Sequence, residues 1–333
     1  MFAITAITGR VGGEVANTLL GEGHKVRAIV RNEDRGAPWA AKGCEIAVAS
    51  LEDAEGLTKA LTGVEGAFIL FPPLYDTDLS FSALQPRIDA VRRALVQAQP
   101  RKVVVLSTIG ADAEQPNLLN ALGKVETALA EVALPITYLR AAWFIENAEW
   151  DVAAARDEGV LYSYLQPLDR AIPMISTADV GRTAAELLLE DWNGQRVVEL
   201  EASSRVTPVQ MAKALSHALG RSVTAVAVPR DQWESIFRER GMHNPLPRSP
   251  GAASTTTQGP LRDVLPARAT WTGAVKKQNS ADSNPFDSWD SALVEMTRSW
   301  FRRTDRSARG ARTRSPDRPA RQKAIRMPSF LQR

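Results

Sequence analysis

Short β-branched segments alternate with amphipathic segments of helical period from residue 1 to about residue 240. This alternation predicts a parallel α/β sheet, because a crossover helix must precede each new parallel strand. Right-handed crossovers of this kind build a doubly wound sheet, in which ligands lie at the carboxyl ends of the strands. The predicted strands are Phe2–Thr8, Lys25–Val30, Glu45–Val48, Gly66–Phe71, Lys102–Ser107 and Ile136–Arg140, and the predicted helices begin near Val11, Asp53, Ser82, Leu118 and Phe144.

After about residue 150 the elements become more varied, which predicts a first domain over residues 1–150 and a smaller α/β lobe over residues 151–243. We expect this lobe to cover the ligand crevice and some of its segments to return to the main sheet. The predicted elements are strands Val160–Leu165, Ile172–Ser176, Val197–Leu200 and Val223–Val228, and helices Ala178–Leu189, Pro208–Leu219 and Asp231–Arg240.

Residues 244–333 lose this periodicity and become rich in Pro, Thr and Arg. Such a segment buries too little apolar surface to offset its ordering entropy, so we predict a disordered tail with one short helix over Trp289–Phe301. A second interpretation is a frameshift near Arg248, because text rich in Arg, Ala, Pro and Ser is typical of GC-rich DNA read out of frame.

The charge of the chain is divided unevenly between this tail and the rest. Residues 301–333 carry ten Arg and one Lys against Asp305 and Asp317, so the total of +3 leaves a net charge of −6 for residues 1–300. Nucleic-acid binding is therefore not expected except through the basic tail. No apolar segment approaches the ~18 residues of a membrane span, and the amino terminus lacks the features of a signal peptide, so we expect a cytoplasmic protein without membrane contact.

A glycine turn between the first strand and its helix carries the clearest chemical signal. Thr8, Gly9, Arg10, Val11 and Gly12 run from the strand through the turn into the helix. Glycines allow backbone N–H groups to approach a pyrophosphate at a helix N-terminus, where the helix dipole favours an anion. The pattern predicts a dinucleotide site.

Arg31 ends the second predicted strand, where the residue that meets the adenosine ribose selects the cofactor. A carboxylate there would accept from the 2′-hydroxyl, whereas Arg31 offers a charged fork to a 2′-phosphate. We therefore expect NADP(H) in preference to NAD(H).

Five segments together resemble the NmrA-like group of atypical short-chain dehydrogenases/reductases. They are Ile7–Gly13, Val30–Asn32, Gly63–Gly66, Val104–Gly110 and Leu139–Asn147, and the resemblance covers about residues 1–243. It implies an NAD(P)-binding Rossmann domain with a small C-terminal lobe. Members include NADP-sensing regulators and NAD(P)H-dependent quinone or azo-dye reductases.

The resemblance also implies a set of cofactor contacts. Gly9, Arg10, Val11 and Gly12 would meet the pyrophosphate and Arg31 the 2′-phosphate. The other implied positions are Ser50 near the adenine, Phe71 and Pro72 near the nicotinamide ribose, Ser107, Thr108 and Ile109 beside the nicotinamide, and Phe144 above it. For Phe71 and Phe144, apolar packing at a strand end is an alternative role, and Pro72 can simply terminate a strand.

Two departures from the family pattern bear on function. Ala6 replaces the first glycine, which would cost on the order of 1–2 kcal/mol if the position needs a positive φ. Leu118 and Leu122 stand at the positions of the Tyr and Lys that short-chain dehydrogenases use, so no catalytic residue can be assigned. None of the three histidines has a partner at metal or triad spacing.

Two functions remain open at this stage, and the sequence does not decide whether the protein is an enzyme. One is an NAD(P)H-dependent reductase of a quinone-like, azo or other conjugated small molecule, which tolerates reduction without a dedicated protein acid. The other is a non-catalytic NADP(H) sensor that regulates a protein partner. A sugar epimerase is disfavoured because the Tyr/Lys dyad is missing.

Overall fold

The computed structural model describes residues 1–74, 78, 80–114 and 118–239. The predicted tail and the predicted helix over Trp289–Phe301 lie outside these residues. Within the described part the chain forms two compact units, one of residues 1–145 with 171–206 and the other of residues 146–170 with 207–239. No helix in the described ranges has the length and apolarity that a bilayer crossing needs.

A seven-stranded parallel sheet forms the centre of the first unit. Its strands are β1 (Phe2–Ile4), β2 (Val26–Val30), β3 (Glu45–Val48), β4 (Gly66–Ile69), β5 (Lys102–Thr108), β6 (Ile136–Ala141) and β10 (Gln195–Leu200). They lie in the order β10-β6-β5-β4-β1-β2-β3. Every residue of β1, β4 and β6 is buried, as expected for central strands covered on both faces. The predicted doubly wound parallel sheet is confirmed.

Two short strands, β7 (Trp143–Phe144) and β9 (Met174–Ile175), form a separate parallel pair in this unit. Its helices are α1 (Arg10–Gly21), α2 (Glu33–Ala40), α3 (Ala54–Leu61), α4 (Gln85–Ala98), α5 (Asn120–Leu129) and α7 (Thr177–Leu189). The helices α1 and α7 pack closely because Gly181 has no side chain: a Cβ there would lie 2.4 Å from the Cβ of Glu14.

The second unit contains a two-stranded parallel sheet and three α-helices among its described residues. These are β8 (Val160–Ser163), β11 (Thr224–Ala227), α6 (Val152–Asp157), α8 (Pro208–Leu219) and α9 (Trp233–Glu239). Trp233 is buried and donates its ring N–H to the carbonyl of Val228 at 2.8 Å. The assignment of this unit to a substrate or a partner stays a prediction.

The observed elements differ from the predicted ones in several places: β7 and α6 were not predicted, and three further differences follow. The first strand ends at Ile4 rather than Thr8, because the chain turns at Ala6. The helix α2 was not predicted, since its eight residues include Gly36 and Pro38. The helix expected from Phe144 begins instead as a 3-10 helix over Ile145–Trp150.

Candidate functional site

The turn after β1 brings two backbone segments into close contact. Ala6 adopts a φ of 49°, in the left-handed region, and its carbonyl accepts a hydrogen bond from the amide of Gly9 at 2.9 Å. A Cβ at Gly12 would lie 2.4 Å from that same carbonyl oxygen and 2.8 Å from the oxygen of Thr5. Only glycine fits at position 12, so the turn holds the first residues of α1 directly above the end of β1.

The N-terminus of α1 is suited to an anion. Gly9 is its N-cap and supplies no side-chain hydrogen bond, and the first turn contains no acidic residue. The N–H groups of a first helical turn have no intrahelical acceptor, and the helix dipole adds partial positive charge there. The close packing at Gly12 holds this helix end beside the end of β1, where it fits a phosphate group.

A cavity of about 520 Å³ opens beside the turn and carries three cationic side chains. It is lined by Ile7, Thr8, Gly9, Arg10, Gly13, Glu14, Asn17, Arg35, Pro38, Trp39 and Lys42. Lys42 lies over the Trp39 ring, with its Nζ 4.6 Å from the ring centroid, and donates to Asn17 at 2.8 Å. Arg10, Arg35 and Lys42 outnumber Glu14, so the cavity favours an anionic ligand.

Arg31, which was predicted to meet the 2′-phosphate, does not line this cavity. Arg31 follows β2 and is exposed, but it is not among the lining residues, whereas Arg35 of α2 is. The amide of Arg35 donates to the N-cap side chain of Asn32 at 3.1 Å, which fixes the first turn of α2. Arg35 was missed by sequence reasoning because the helix that carries it was missed. The Asn32 cap three residues earlier is the signal that could have found it.

The residues predicted after β3 and β4 lie at the carboxyl edge of the sheet. Ser50 is half-buried, and its hydroxyl accepts from the amide of Glu52 at 3.3 Å. Phe71 is buried and Pro72 is exposed. The packing of Phe71 agrees with its alternative role at a strand end, and cofactor contact by these three residues stays a prediction.

A buried hydroxyl links the ends of β1 and β4. Thr5 donates to the carbonyl of Phe68 at 3.1 Å and accepts from the amide of Leu70 at 2.9 Å. The amide of Leu70 lies just beyond the end of β4, so the Thr5 hydroxyl supplies its acceptor, while the carbonyl of Phe68 also accepts from the amide of Thr5 at 3.0 Å. The sequence analysis did not single out this residue.

Ser107, Thr108 and Ile109 end β5, as predicted, but they differ in exposure. Ser107 is buried and donates its hydroxyl to the carboxylate of Glu126. Thr108 is half-buried, and the amide of Ile109 donates to the carbonyl of Ala141 at 3.0 Å. Thr108 is therefore the more accessible hydroxyl at this edge.

Phe144 lies in β7, where it pairs with Ile175 and is half-buried. Its partial exposure is compatible with both predicted roles, ligand contact and apolar packing. Cofactor contact by Phe144 stays a prediction.

Arg140 organises an ion network at the ends of β5 and β6, in which the side chains of Arg140 and Glu126 are buried and those of Asp112 and Glu199 are partly exposed. It donates to both oxygens of Glu126, at 3.0 and 2.7 Å, and to Asp112 at 2.6 Å, while Glu199 lies 3.8 Å away. Burial acts to lower the pKa of Arg140, but its bonds to Glu126 and Asp112 raise that pKa above its ordinary value. The guanidinium is therefore permanently charged.

The positions of a Tyr/Lys dyad hold apolar residues. Leu118 precedes α5 and Leu122 lies within it. Lys124, on the same helix, donates to the carbonyl of Ser80 at 2.8 Å, which ties it to the segment after β4. The described residues contain no cluster of His, Cys, Asp or Glu able to hold a metal ion.

A parallel doubly wound sheet with a glycine turn between its first strand and helix defines a protein of the Rossmann type. Residues 2–249 match the model of the NmrA-like family, and the chain belongs to that family. The predicted family resemblance is confirmed.

Curated relatives match most of the chain. Quinone oxidoreductase 2 of Escherichia coli is 29% identical over 248 residues, which cover 74% of this chain and 84% of the relative. The NAD(P)H azoreductase of Xenophilus azovorans is 26% identical over 249 residues, covering 74% and 83%. Among solved structures, the NADPH complex of an E. coli NADPH-dependent quinone oxidoreductase is 27% identical, with a TM-score of 0.63, and covers 72% of this chain and 83% of that one.

Proposed function

We propose that the protein is an NADPH-dependent oxidoreductase that reduces a quinone-like, azo or other conjugated small molecule. The observation that carries this proposal is the cationic cavity joined to the glycine turn, because it fits the phosphates of a dinucleotide. The names of the relatives, a quinone oxidoreductase and an NAD(P)H azoreductase, support the acceptor class. The cytoplasm, where NADPH is available, is the proposed compartment.

The residues of the turn and those of the cavity would bind different parts of the cofactor. The backbone from Gly9 to Gly12 would hold the pyrophosphate at the N-terminus of α1. Arg10 and Arg35 would bind the 2′-phosphate, with Arg31 as a further cation at the end of β2. Bound NADPH supplies a hydride to the acceptor.

The carboxyl edge of the sheet lacks a proton donor at the dyad positions, and this supports the proposed class of acceptor. Leu118 and Leu122 supply no proton at the dyad positions, and the hydroxyl of Thr108 is too weak an acid to replace them. A conjugated acceptor spreads the negative charge that it gains with the hydride, so it can take its proton from water. The chain's contribution is then to bind and orient the two reactants and to exclude competing reactions.

Cofactor titration with single-residue variants tests the binding part of the proposal. NADPH and NADH are titrated by fluorescence against the wild type, Arg35→Ala and Arg31→Ala. Loss of a charge-assisted contact to the 2′-phosphate is expected to weaken NADPH about tenfold or more in Arg35→Ala and to leave NADH unchanged. A smaller loss of the same kind is expected for Arg31→Ala.

Arg92→Ala is the matched control for these variants. Arg92 is an exposed arginine on α4, outside the cavity lining, and it pairs with Glu131 at 2.8 Å. Its affinity for both cofactors should equal that of the wild type. Equal affinity of the wild type for NADPH and NADH, or unchanged preference in Arg35→Ala, would show that the cavity does not bind the 2′-phosphate.

Turnover is measured as oxidation of NADPH with 1,4-benzoquinone and with an azo dye. Steady oxidation is expected with at least one of them. Binding of NADPH without oxidation would instead favour a non-catalytic NADP(H)-sensing protein that regulates a partner. The observation that favours this second candidate is the pair of leucines at the dyad positions.

A further inference from the structure

The ion network around Arg140 has a buried pair, Arg140 and Glu126, at its centre and connects α5 to the carboxyl ends of β5 and β6. Arg140 and Glu126 form a two-point ion pair, and their side chains are only 10% and 12% exposed. A buried pair of this kind costs desolvation energy and stabilises little relative to apolar residues, but it strongly specifies one arrangement of its elements when all its bonds are made. The network therefore suggests a role beyond stability.

A continuous set of contacts leads from this pair to the strand end. Glu126 accepts the hydroxyl of Ser107, and Ser107 lies opposite Arg140 in the strand register. The next pair in register is Thr108 with Ala141, whose carbonyl accepts from the amide of Ile109. Glu126 thus holds the side chain of Ser107, the first of the three residues predicted to lie beside the nicotinamide, immediately before Thr108 and Ile109.

We propose that Glu126 and Arg140 are positioning residues, which act through Ser107 to fix the end of β5 for hydride transfer. This inference rests on the proposed reductase function. With no Tyr/Lys dyad, the rate depends on how well donor and acceptor are placed, and misplacement of about 1 Å can cost on the order of 10²-fold in rate. Ser107, predicted as a cofactor contact, is reassigned to this positioning link, while Thr108 and Ile109 remain at the edge.

Glu126→Gln tests the proposal in the full chain. Glutamine keeps the volume and one acceptor oxygen, and Asp112 still pairs with Arg140, so the variant is expected to fold. The matched control is Glu131→Gln, since Glu131 is an exposed glutamate, 69% accessible, paired with Arg92. Ser107→Ala is a second variant, which removes only the link between Glu126 and β5.

Three measurements separate positioning from a purely structural role. Hydrogen exchange reports the amide of Ile109, titration gives the dissociation constant of NADPH, and turnover with 1,4-benzoquinone gives kcat. For Ser107→Ala we expect about tenfold faster exchange at Ile109, about tenfold lower kcat, and an NADPH affinity within about twofold of the wild type. For Glu126→Gln, which keeps an oxygen for Ser107 but loses one of its two bonds to Arg140, we expect smaller changes in the same direction. Glu131→Gln should match the wild type in all three.

Wild-type exchange at Ile109, or wild-type kcat, in both variants would overturn the inference. Parallel losses of affinity, kcat and global stability would assign the network a structural role and would also overturn it. A wild-type chain that binds NADPH but oxidises none with any acceptor would refute the proposed function itself. The exchange rate at Ile109 would then still decide whether Glu126 positions the strand end.

Discussion

Ala6 is strained in the folded protein, and replacing it with glycine should stabilise the fold. Its φ of 49° lies in the left-handed region, where a Cβ approaches the following carbonyl oxygen. This conformation costs an L-residue about 1–2 kcal/mol, whereas glycine adopts it freely. Glycine also loses about 0.5–1 kcal/mol more backbone entropy on folding. The midpoints of these two ranges differ by about 0.75 kcal/mol, so Ala6→Gly is expected to raise the free energy of unfolding by about 0.5–1 kcal/mol.

Thermal unfolding followed by circular dichroism measures this change. For a folded region of about 150–250 residues, a change of about 1 kcal/mol in the free energy of unfolding shifts Tm by about 2–4 °C. Ala6→Gly should therefore raise Tm by about 1–4 °C. The strain belongs to the turn itself, which the Ala6–Gly9 hydrogen bond holds before any ligand binds. We therefore expect the dissociation constant of NADPH to change less than about twofold, since a strain common to both states cancels in binding.

Ala3→Gly is the matched control, because Ala3 lies on β1 three residues before Ala6, is fully buried and has an extended backbone. There the substitution removes a buried methyl and relieves no strain, so Tm should fall. A Tm for Ala6→Gly at or below the wild-type value would refute the reasoning. A large gain in NADPH affinity would show instead that the methyl of Ala6 obstructs the cofactor.

Two further substitutions test the packing that supports the site, each with its own control and each read from urea unfolding. Gly12→Ala places a Cβ 2.4 Å from the backbone oxygen of Ala6, so it should lower the free energy of unfolding by about 3 kcal/mol or prevent folding. Gly21→Ala is its control on the same helix: a Cβ there has nothing within 4 Å, so the substitution should be neutral or mildly stabilising. Thr5→Val leaves the amide of Leu70, at the end of β4, without its acceptor and should lower the free energy of unfolding by about 1–3 kcal/mol. Its control, Thr224→Val at an exposed strand position, should change that free energy by about 0.5 kcal/mol or less. Equal midpoints within either pair would contradict the corresponding prediction.

Elements with strong local signals were predictable to the residue. The helix α8 was predicted over Pro208–Leu219 and observed with those bounds. Thr207 and Gln210 form a capping box, Pro208 occupies the first helical position, and Gly220 ends the helix at a φ of 64°. Start and stop are both encoded locally, so no tertiary information is needed.

The helix α2 shows the opposite case, and its omission hid part of the candidate site. Gly36 and Pro38 interrupt the apolar pattern of its eight residues, so the pattern favoured a loop. The helix forms because Asn32 caps it and Trp39 is buried against the rest of the unit. Arg35 depends on this helix for its place in the cavity, and it could not be assigned from the sequence alone.

The Arg140 network could not be predicted for a different reason. An arginine in an apolar strand was visible, but its partners Asp112, Glu126 and Glu199 are 14 to 59 positions away along the chain. Only the pairing of β5 and β6, the docking of α5 and the return of β10 to the sheet bring them together. The sequence analysis placed Arg140 at the end of a predicted strand and did not identify any of its ion partners.

The two buried polar links at the carboxyl edge have a common consequence. Thr5 joins the ends of β1 and β4, and Arg140 joins the ends of β5 and β6 to α5. A buried polar group is costly in any arrangement that leaves it unpaired, so each link restricts its strand ends to one arrangement. We therefore expect the edge predicted to hold the cofactor to keep one arrangement in the free protein. A rigid edge of this kind keeps the donor in place without contacts from the acceptor, and under the proposed function it would allow acceptors as different as quinones and azo dyes to be reduced at one site.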